Sequence, residues 1–334
     1  MSDIHNQINL KNTKTENKET KKNKANDFNK LASDGWTDLT RLAYTSHNPQ
    51  VIEDLINKGA DVNFKGRNGW SPLMAAIIGQ NTPDVIQTLI NNGANIEDKD
   101  NSNKNILMRA VENPSNSQIM NKLIQYGANV NAKDIKGKTI LMHALYCSDD
   151  IENIKTLIKN GADINAKDIY GETTLMYAFR RYGNPEIIEL LIKSGTNINA
   201  QDNSSETILL KAIDRHKSLE FIEKIITLGA DVNKTNKFGD SPLIRAVHLS
   251  NKDTSLIDML LKYGANINSQ TNEGFTPLMC AVRDPHKEIL VRFLLEKDAD
   301  VNITNNYGDT ALTLAIKLSK EPRVINALLK YGAK

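Results

Sequence analysis

Apolar residues in this chain fall in pairs spaced four apart, and the pairs recur at a fixed distance. Val85-Ile86 with Leu89-Ile90, and Ile187-Ile188 with Leu191-Ile192, have the spacing of an amphipathic helix. Such runs end at a glycine, the residue that most readily takes the left-handed conformation just past a helix C-terminus. Upstream stands a shorter apolar stretch that opens on Ser or Thr: Ser71-Pro72-Leu73, Thr139-Ile140-Leu141, Thr173-Thr174-Leu175, Thr207-Ile208-Leu209, Ser241-Pro242-Leu243, Thr276-Pro277-Leu278 and Thr310-Ala311-Leu312. A hydroxyl cap, with proline at the first helical position in several copies, starts a helix. Alanine follows at a constant offset (Ala76, Ala110, Ala144, Ala178, Ala212, Ala246, Ala281, Ala315), which lets neighbouring helices approach closely. Polar turns marked by Pro49, Pro83, Pro114, Pro185, Pro285 and Pro322 separate the two stretches. The pattern predicts a short helix, a turn, a second amphipathic helix and a tight hairpin. The hairpin carries Asp-x-x-Gly, as in Asp134-Ile135-Lys136-Gly137 and Asp168-Ile169-Tyr170-Gly171.

The helix-ending glycine opens a string close to Gly-Ala-Asp/Asn-Val/Ile-Asn. It begins at Gly59, Gly93, Gly127, Gly161, Gly195, Gly229 and Gly264, with a degenerate copy at Asp298 and a truncated one at Gly332. The interval is 34 residues except between Gly229 and Gly264, where it is 35. A fixed period of this size means stacked supersecondary units rather than one closed core. The units resemble ankyrin repeats, whose pattern is Asp-x-x-Gly-x-Thr-Pro-Leu, a helix pair, then Gly-Ala-Asp-Val-Asn. The resemblance implies an all-α repeat solenoid, an ankyrin stack of helix-turn-helix units joined by β-hairpin loops. It covers residues 34–334, with repeats near 34–63, 68–97, 102–131, 136–165, 170–199, 204–233, 238–268, 273–302 and 307–334. Residues 1–33 are assigned to a disordered Lys- and Asn-rich tail, because 11–24 contain no apolar side chain to offset the entropy of ordering.

Departures from the family pattern change local expectations. Met74, Met108, Met142, Met176 and Met279 stand where the family has histidine, so the usual Thr–His bond gives way to apolar packing. Asn103 and Ser205 replace the hairpin glycine, which predicts distorted turns before the third and sixth repeats. Asp298 replaces a helix-ending glycine, at a cost in stability.

Composition narrows the function. Lys+Arg number 42 and Asp+Glu 40, a formal charge of +2, too small a field to imply nucleic acid. Cys147 and Cys280 fall four repeats apart, beyond disulfide reach, which fits reduced thiols in a cytoplasmic setting. The first residues lack a basic segment followed by an apolar run, so a secretory signal peptide is not expected. No stretch approaches the length of a membrane-spanning helix. Residues 132–139 approach a phosphate-binding loop, but Ala132 stands where its first glycine belongs, and Gly137 and Thr139 are in repeat phase. The six histidines show no metal spacing and no nucleophile has catalytic partners in phase, so no catalytic, cofactor or metal site is assigned.

What remains is the surface. The resemblance places the positions four, seven and eight after the Ser/Thr anchor on a concave groove: Arg109, His143, Tyr146, Tyr177, Arg180, Arg181, Lys211, Arg215, Arg245, His248 and Arg283. Acids in these columns are few, namely Glu112, Asp214 and Asp284. Tyr and Arg are enriched at binding hot spots, and Tyr146, Tyr177 and Arg180 are expected to cluster. The hairpin tips add Tyr170 and Phe238. The resemblance thus points to a non-enzymatic scaffold that presents a groove and tips to a protein partner, with no cofactor, small-molecule substrate or membrane. Polyanion or nucleic-acid binding through the basic groove and tail is the alternative. The Asn-, Lys- and Ile-rich composition is similar to that of AT-rich genomes, among them intracellular bacteria and large viruses whose ankyrin proteins act on host partners. That similarity raises a host protein as partner and export without a signal peptide as an alternative to the cytoplasm.

Overall fold

The computed structural model describes residues 27–79, 82–113, 116–180, 184–250, 252–319 and 321–334. The tail up to residue 26 lies outside them. The chain divides into two compact bodies, one ending at Asp163 and one beginning at Ile164.

In the N-terminal body each repeat contributes two helices: α1 Asp38–Thr45 and α2 Pro49–Asn57, α3 Pro72–Ile78 and α4 Pro83–Asn91, α5 Ile106–Val111 and α6 Ser117–Gln125, α7 Ile140–Cys147 and α8 Ile151–Lys159. The C-terminal body continues with α9 Thr174–Arg180, α10 Pro185–Lys193, α11 Ile208–Asp214, α12 Leu219–Thr227, α13 Pro242–Leu249, α14 Ser255–Lys262, α15 Pro277–Arg283, α16 Glu288–Glu296, α17 Ala311–Lys317 and α18 Pro322–Lys330. Among the described residues there is no strand. The hairpins are turns, three of them closed by a single antiparallel bridge: Lys99 with Asn105, Lys133 with Thr139, and Lys167 with Thr173.

The first helices form because a hydroxyl or amide caps them. Thr139, Thr207, Ser241 and Thr276 accept the N–H three residues on, and Asn105 does the same for Met108 at 2.9 Å. Asn105 breaks the Ser/Thr pattern of the sequence yet fills its role. The first helices then stack on one another, α1 on α3, α3 on α5 and α5 on α7 in one body, and α9, α11, α13, α15 and α17 in turn in the other. Their shared face is the core. Met74, Met108, Met142, Met176 and Met279 are all buried there, beside the alanine column. The methionines therefore pack, as expected from a flexible apolar side chain in the histidine's place.

The last residue of the glycine string stitches neighbouring repeats. The Asn131 carboxamide accepts the Asp163 N–H and donates to the Gly161 carbonyl, each at 2.8 Å. Asn199 and Asn233 repeat this on Asp231 with Gly229, and on Asn266 with Gly264. A helix C-terminus leaves carbonyls without intrahelical partners, and one side chain per repeat satisfies such a group in the next. Asn29, the last residue of the short 3-10 turn Asp27–Asn29, makes the first link by accepting the Asp61 N–H at 2.9 Å.

The expected distortion of two turns does not occur. Asn103 and Ser205 take left-handed conformations with φ 58° and 59°. Each keeps the turn bond of a glycine copy: Asn103 N–H to Asp100 and Ser205 N–H to Asp202, both 2.9 Å, against 3.0 Å for Gly171 to Asp168. Side-chain bonds hold the strained residues in place. Asn103 Nδ2 donates to the Lys133 carbonyl at 3.0 Å, and Gln201 Nε2 donates to the Ser205 carbonyl at 2.8 Å.

Candidate functional site

From the third repeat to the sixth, the hairpin opens on an aspartate with two jobs. Asp134 Oδ1 accepts the N–H groups of Lys136 and Lys138 at 2.8 and 2.9 Å, and so sets the turn. Its Oδ2 lies 3.0 Å from His143 Nε2 on the following helix. The same division holds at Asp100 with Arg109, at Asp168 with the Tyr177 hydroxyl (2.9 Å) and at Asp202 with Lys211 (2.8 Å). In the third to sixth repeats the residue four after the helix anchor is therefore matched to a carboxylate nine positions upstream.

In the N-terminal body these pairs join into one network. Glu112 is ion-paired with Lys104 and with Arg109 at 2.9 Å and lies 3.3 Å from His143 Nδ1, while Arg109 also pairs with Asp100. Burial would raise the Glu112 carboxyl, but bonding from His143 and Lys104 and the charges of Lys104 and Arg109 outweigh it and hold the group down at about 2. Burial likewise works against the charge on Arg109, and Asp100 and Glu112 more than compensate, leaving its guanidinium more firmly protonated.

The C-terminal body uses more carboxylates. Arg180 reaches Glu172 at 2.9 Å, and Lys211 bridges Glu172 and Asp202 at 3.3 and 2.8 Å. For Asp202, burial pushes upward, but Lys211 and the N–H groups of Glu206 and Ser204 prevail and lower it. At the seventh repeat the hairpin residue is Asn236. Its second atom donates to Glu206 at 3.0 Å, and Arg245 pairs with Glu206, Asp214 and Asp240 at 3.1, 2.7 and 3.4 Å. Partial burial of its ring lowers the His248 imidazole although the residue as a whole is exposed, with Lys287, Arg245 and Arg283 adding to the effect against Asp240.

These contacts correct the reading of an exposed Tyr/Arg/His groove. Tyr177 is 1% exposed and His143 7%, so neither lies on a surface, and Tyr177 cannot join an exposed cluster. Burial and the Asp168 bond hold the Tyr177 hydroxyl protonated well above its ordinary range. Arg109, Lys211 and Arg245 are half-buried inside ion pairs. Besides Glu112 and Asp214 in the helical columns, the acids that meet these residues, Asp100, Asp134, Asp168, Glu172, Asp202, Glu206 and Asp240, stand in the hairpins, which is why reading the columns alone found an excess of cations. In the third to sixth repeats the signal was present as an aspartate nine residues ahead of the column residue. Arg180, Arg215 and His248 are exposed, as is Tyr146 at 46%. Arg215 donates to the Arg180 carbonyl at 3.0 Å and lies 5.3 Å over the Phe179 ring. Arg181 lies outside the described residues. At the tips Ile135, Ile169, Tyr170, Phe238 and Tyr307 are all more than half exposed, from 55% to 68%.

No helix among the described residues is long and apolar enough to cross a membrane. A sequence model for ankyrin repeats, three copies long, matches residues 39–134, 107–202, 209–290 and 243–334. The fold is similar to the ankyrin repeat domain of Bcl-3, described as a unique member of the IkappaB protein family. That domain is 28% identical at a TM-score of 0.58, over 67% of this chain and 97% of that one. It is also similar to an ankyrin repeat domain from Acinetobacter baumannii AYE, 30% identical at a TM-score of 0.50, over 58% of this chain and 98% of that one. No curated protein matches the chain at a significant level.

Proposed function

Because the chain belongs to the ankyrin repeat family, we propose that it is a non-enzymatic protein–protein interaction scaffold that engages its partner through the hairpin tips and the exposed rim of the first helices. One observation carries this reading: large apolar side chains stand exposed at the tips in repeat phase, Ile135, Ile169 with Tyr170, Phe238 and Tyr307. Exposed apolar area in register is costly in isolation and is the usual mark of a surface that another protein covers. On the first helices Tyr146 in the N-terminal body, and Arg180, Arg215 and His248 in the C-terminal body, add exposed polar and aromatic groups, while carboxylates engage His143 and Arg109 in the one body and Tyr177, Lys211 and Arg245 in the other.

Polyanion binding has less support, since Arg109, Lys211 and Arg245 are already matched by carboxylates and a phosphate chain would have to displace them. The Asn-, Lys- and Ile-rich composition supports a host-cell protein as the partner. Affinity capture from lysate tests the reading, with wild type beside Tyr170→Ala/Phe238→Ala and Arg180→Ala/Arg215→Ala, all checked for folding by circular dichroism. A protein retained by wild type and lost by the tip variant supports it. A partner kept by both variants, or nucleic acid recovered in its place, contradicts it.

A further inference from the structure

We propose that the cleft between the tips of the seventh and eighth repeats receives one neutral aromatic side chain of the partner. The inference rests on the scaffold reading above and adds the chemistry of the anchor. It starts from a break in the pairing of hairpin and helix. Asp100 meets Arg109, Asp134 meets His143, Asp168 meets Tyr177 and Asp202 meets Lys211. At the eighth repeat the corresponding positions are Thr271 and Cys280. A thiol is too short to fill the space taken elsewhere by a long donor, and a cleft of about 270 Å³ opens at that point.

The lining is specific. Phe238 and Phe275 contribute rings, and the Arg283 guanidinium lies 4.8 Å over the Phe275 ring. Asp240, Glu273 and His248 also line it, with Thr271, Asn272 and Cys280 making up the rest of the wall. The Phe238 backbone is held, since its carbonyl accepts the Asn272 N–H at 2.9 Å, yet its side chain is 60% exposed. Two phenyl rings and a guanidinium favour another π-system over an aliphatic chain, through edge-to-face and cation–π attraction. Asp240 and Glu273 disfavour an anion, and Arg283 disfavours a cation, so the anchor is uncharged. Aromatic residues seated in desolvated pockets are also enriched among interface hot spots.

The test pans a phage-displayed random dodecapeptide library on the full chain. Enriched peptides are then measured by fluorescence polarisation against wild type, Phe238→Ala, Cys280→Lys and the tip control Ile169→Ala. Cys280→Lys restores a long side chain to the column and fills the cleft. Its folding is checked by thermal melting, and the exposed Phe238 site gives an arm independent of that check. The expected result is a shared aromatic residue whose replacement by alanine weakens binding about tenfold or more. Both cleft variants should weaken binding similarly, and Ile169→Ala should leave it unchanged. Peptides that bind wild type and both cleft variants equally overturn the cleft while leaving the scaffold reading intact. Failure to enrich any peptide counts against both.

Discussion

Replacing Glu112 by glutamine removes the charge at the centre of the N-terminal network while keeping its shape. A carboxyl moved from 4.5 down to about 2 contributes at most ~3 kcal/mol at neutral pH, at about 1.4 kcal/mol for each tenfold change in proton affinity. The side chain is 23% exposed, and Arg109 and His143 keep Asp100 and Asp134 after the change. We therefore expect Glu112→Gln to cost about 1–3 kcal/mol at pH 7. The folded group is the stronger acid, so its contribution is complete above the ordinary carboxylate value and disappears as pH falls from about 4.5 towards 2. By about pH 3 the wild-type advantage should drop to half or less. Urea unfolding followed by tryptophan fluorescence is the assay. Both tryptophans, Trp36 and Trp70, lie in the N-terminal body, and Trp70 sits 6.0 Å beneath Arg109, so the signal reports on this region. A difference below about 0.5 kcal/mol at pH 7, or one that does not change between about pH 7 and pH 3, would refute the reasoning.

Three further outcomes are expected. Asn131→Ala loses the bonds to Asp163 and Gly161 and should cost about 1–2 kcal/mol, read by the same tryptophan-monitored unfolding; an unchanged midpoint would remove the stitching role. Asp298 holds φ 62° with a side chain that disfavours it, so Asp298→Gly should stabilise the C-terminal body by about 1 kcal/mol in thermal melting by circular dichroism, and a lower melting temperature would count against the strain. The Cys280 thiol is buried and pushed up to about 12 by burial, while Cys147 is partly accessible. The native chain should thus show one fast-reacting thiol with a disulfide reagent, assigned by mass spectrometry to Cys147.

The period was legible because each repeat must bury one face on the next, so the same residue types return at the same offsets. The cap, the alanine column, the buried methionines and the left-handed glycines could all be read this way. The groove was not. Whether Arg109 faces a partner or Asp100 depends on a hairpin folding back over its own helix, and the two residues are nine apart in sequence, outside any helical column. Tyr177 shows the consequence most clearly: its position in the repeat resembles a surface site, while the Asp168 bond beneath makes it part of the core. Asn103 and Ser205 show the opposite limit. Loss of glycine suggested a distorted turn, but bonds from Asn103 to the Lys133 carbonyl and from Gln201 to the Ser205 carbonyl preserve it.

The most direct test of the scaffold reading is hydrogen–deuterium exchange on the full chain with and without its captured partner. Protection concentrated at the tips around Ile135, Ile169, Tyr170 and Phe238, and along the exposed rim at Tyr146, Arg180 and Arg215, is the predicted result. Protection confined to the second helices α2, α4, α6, α8, α10 and α12, with the tips unchanged, would contradict it.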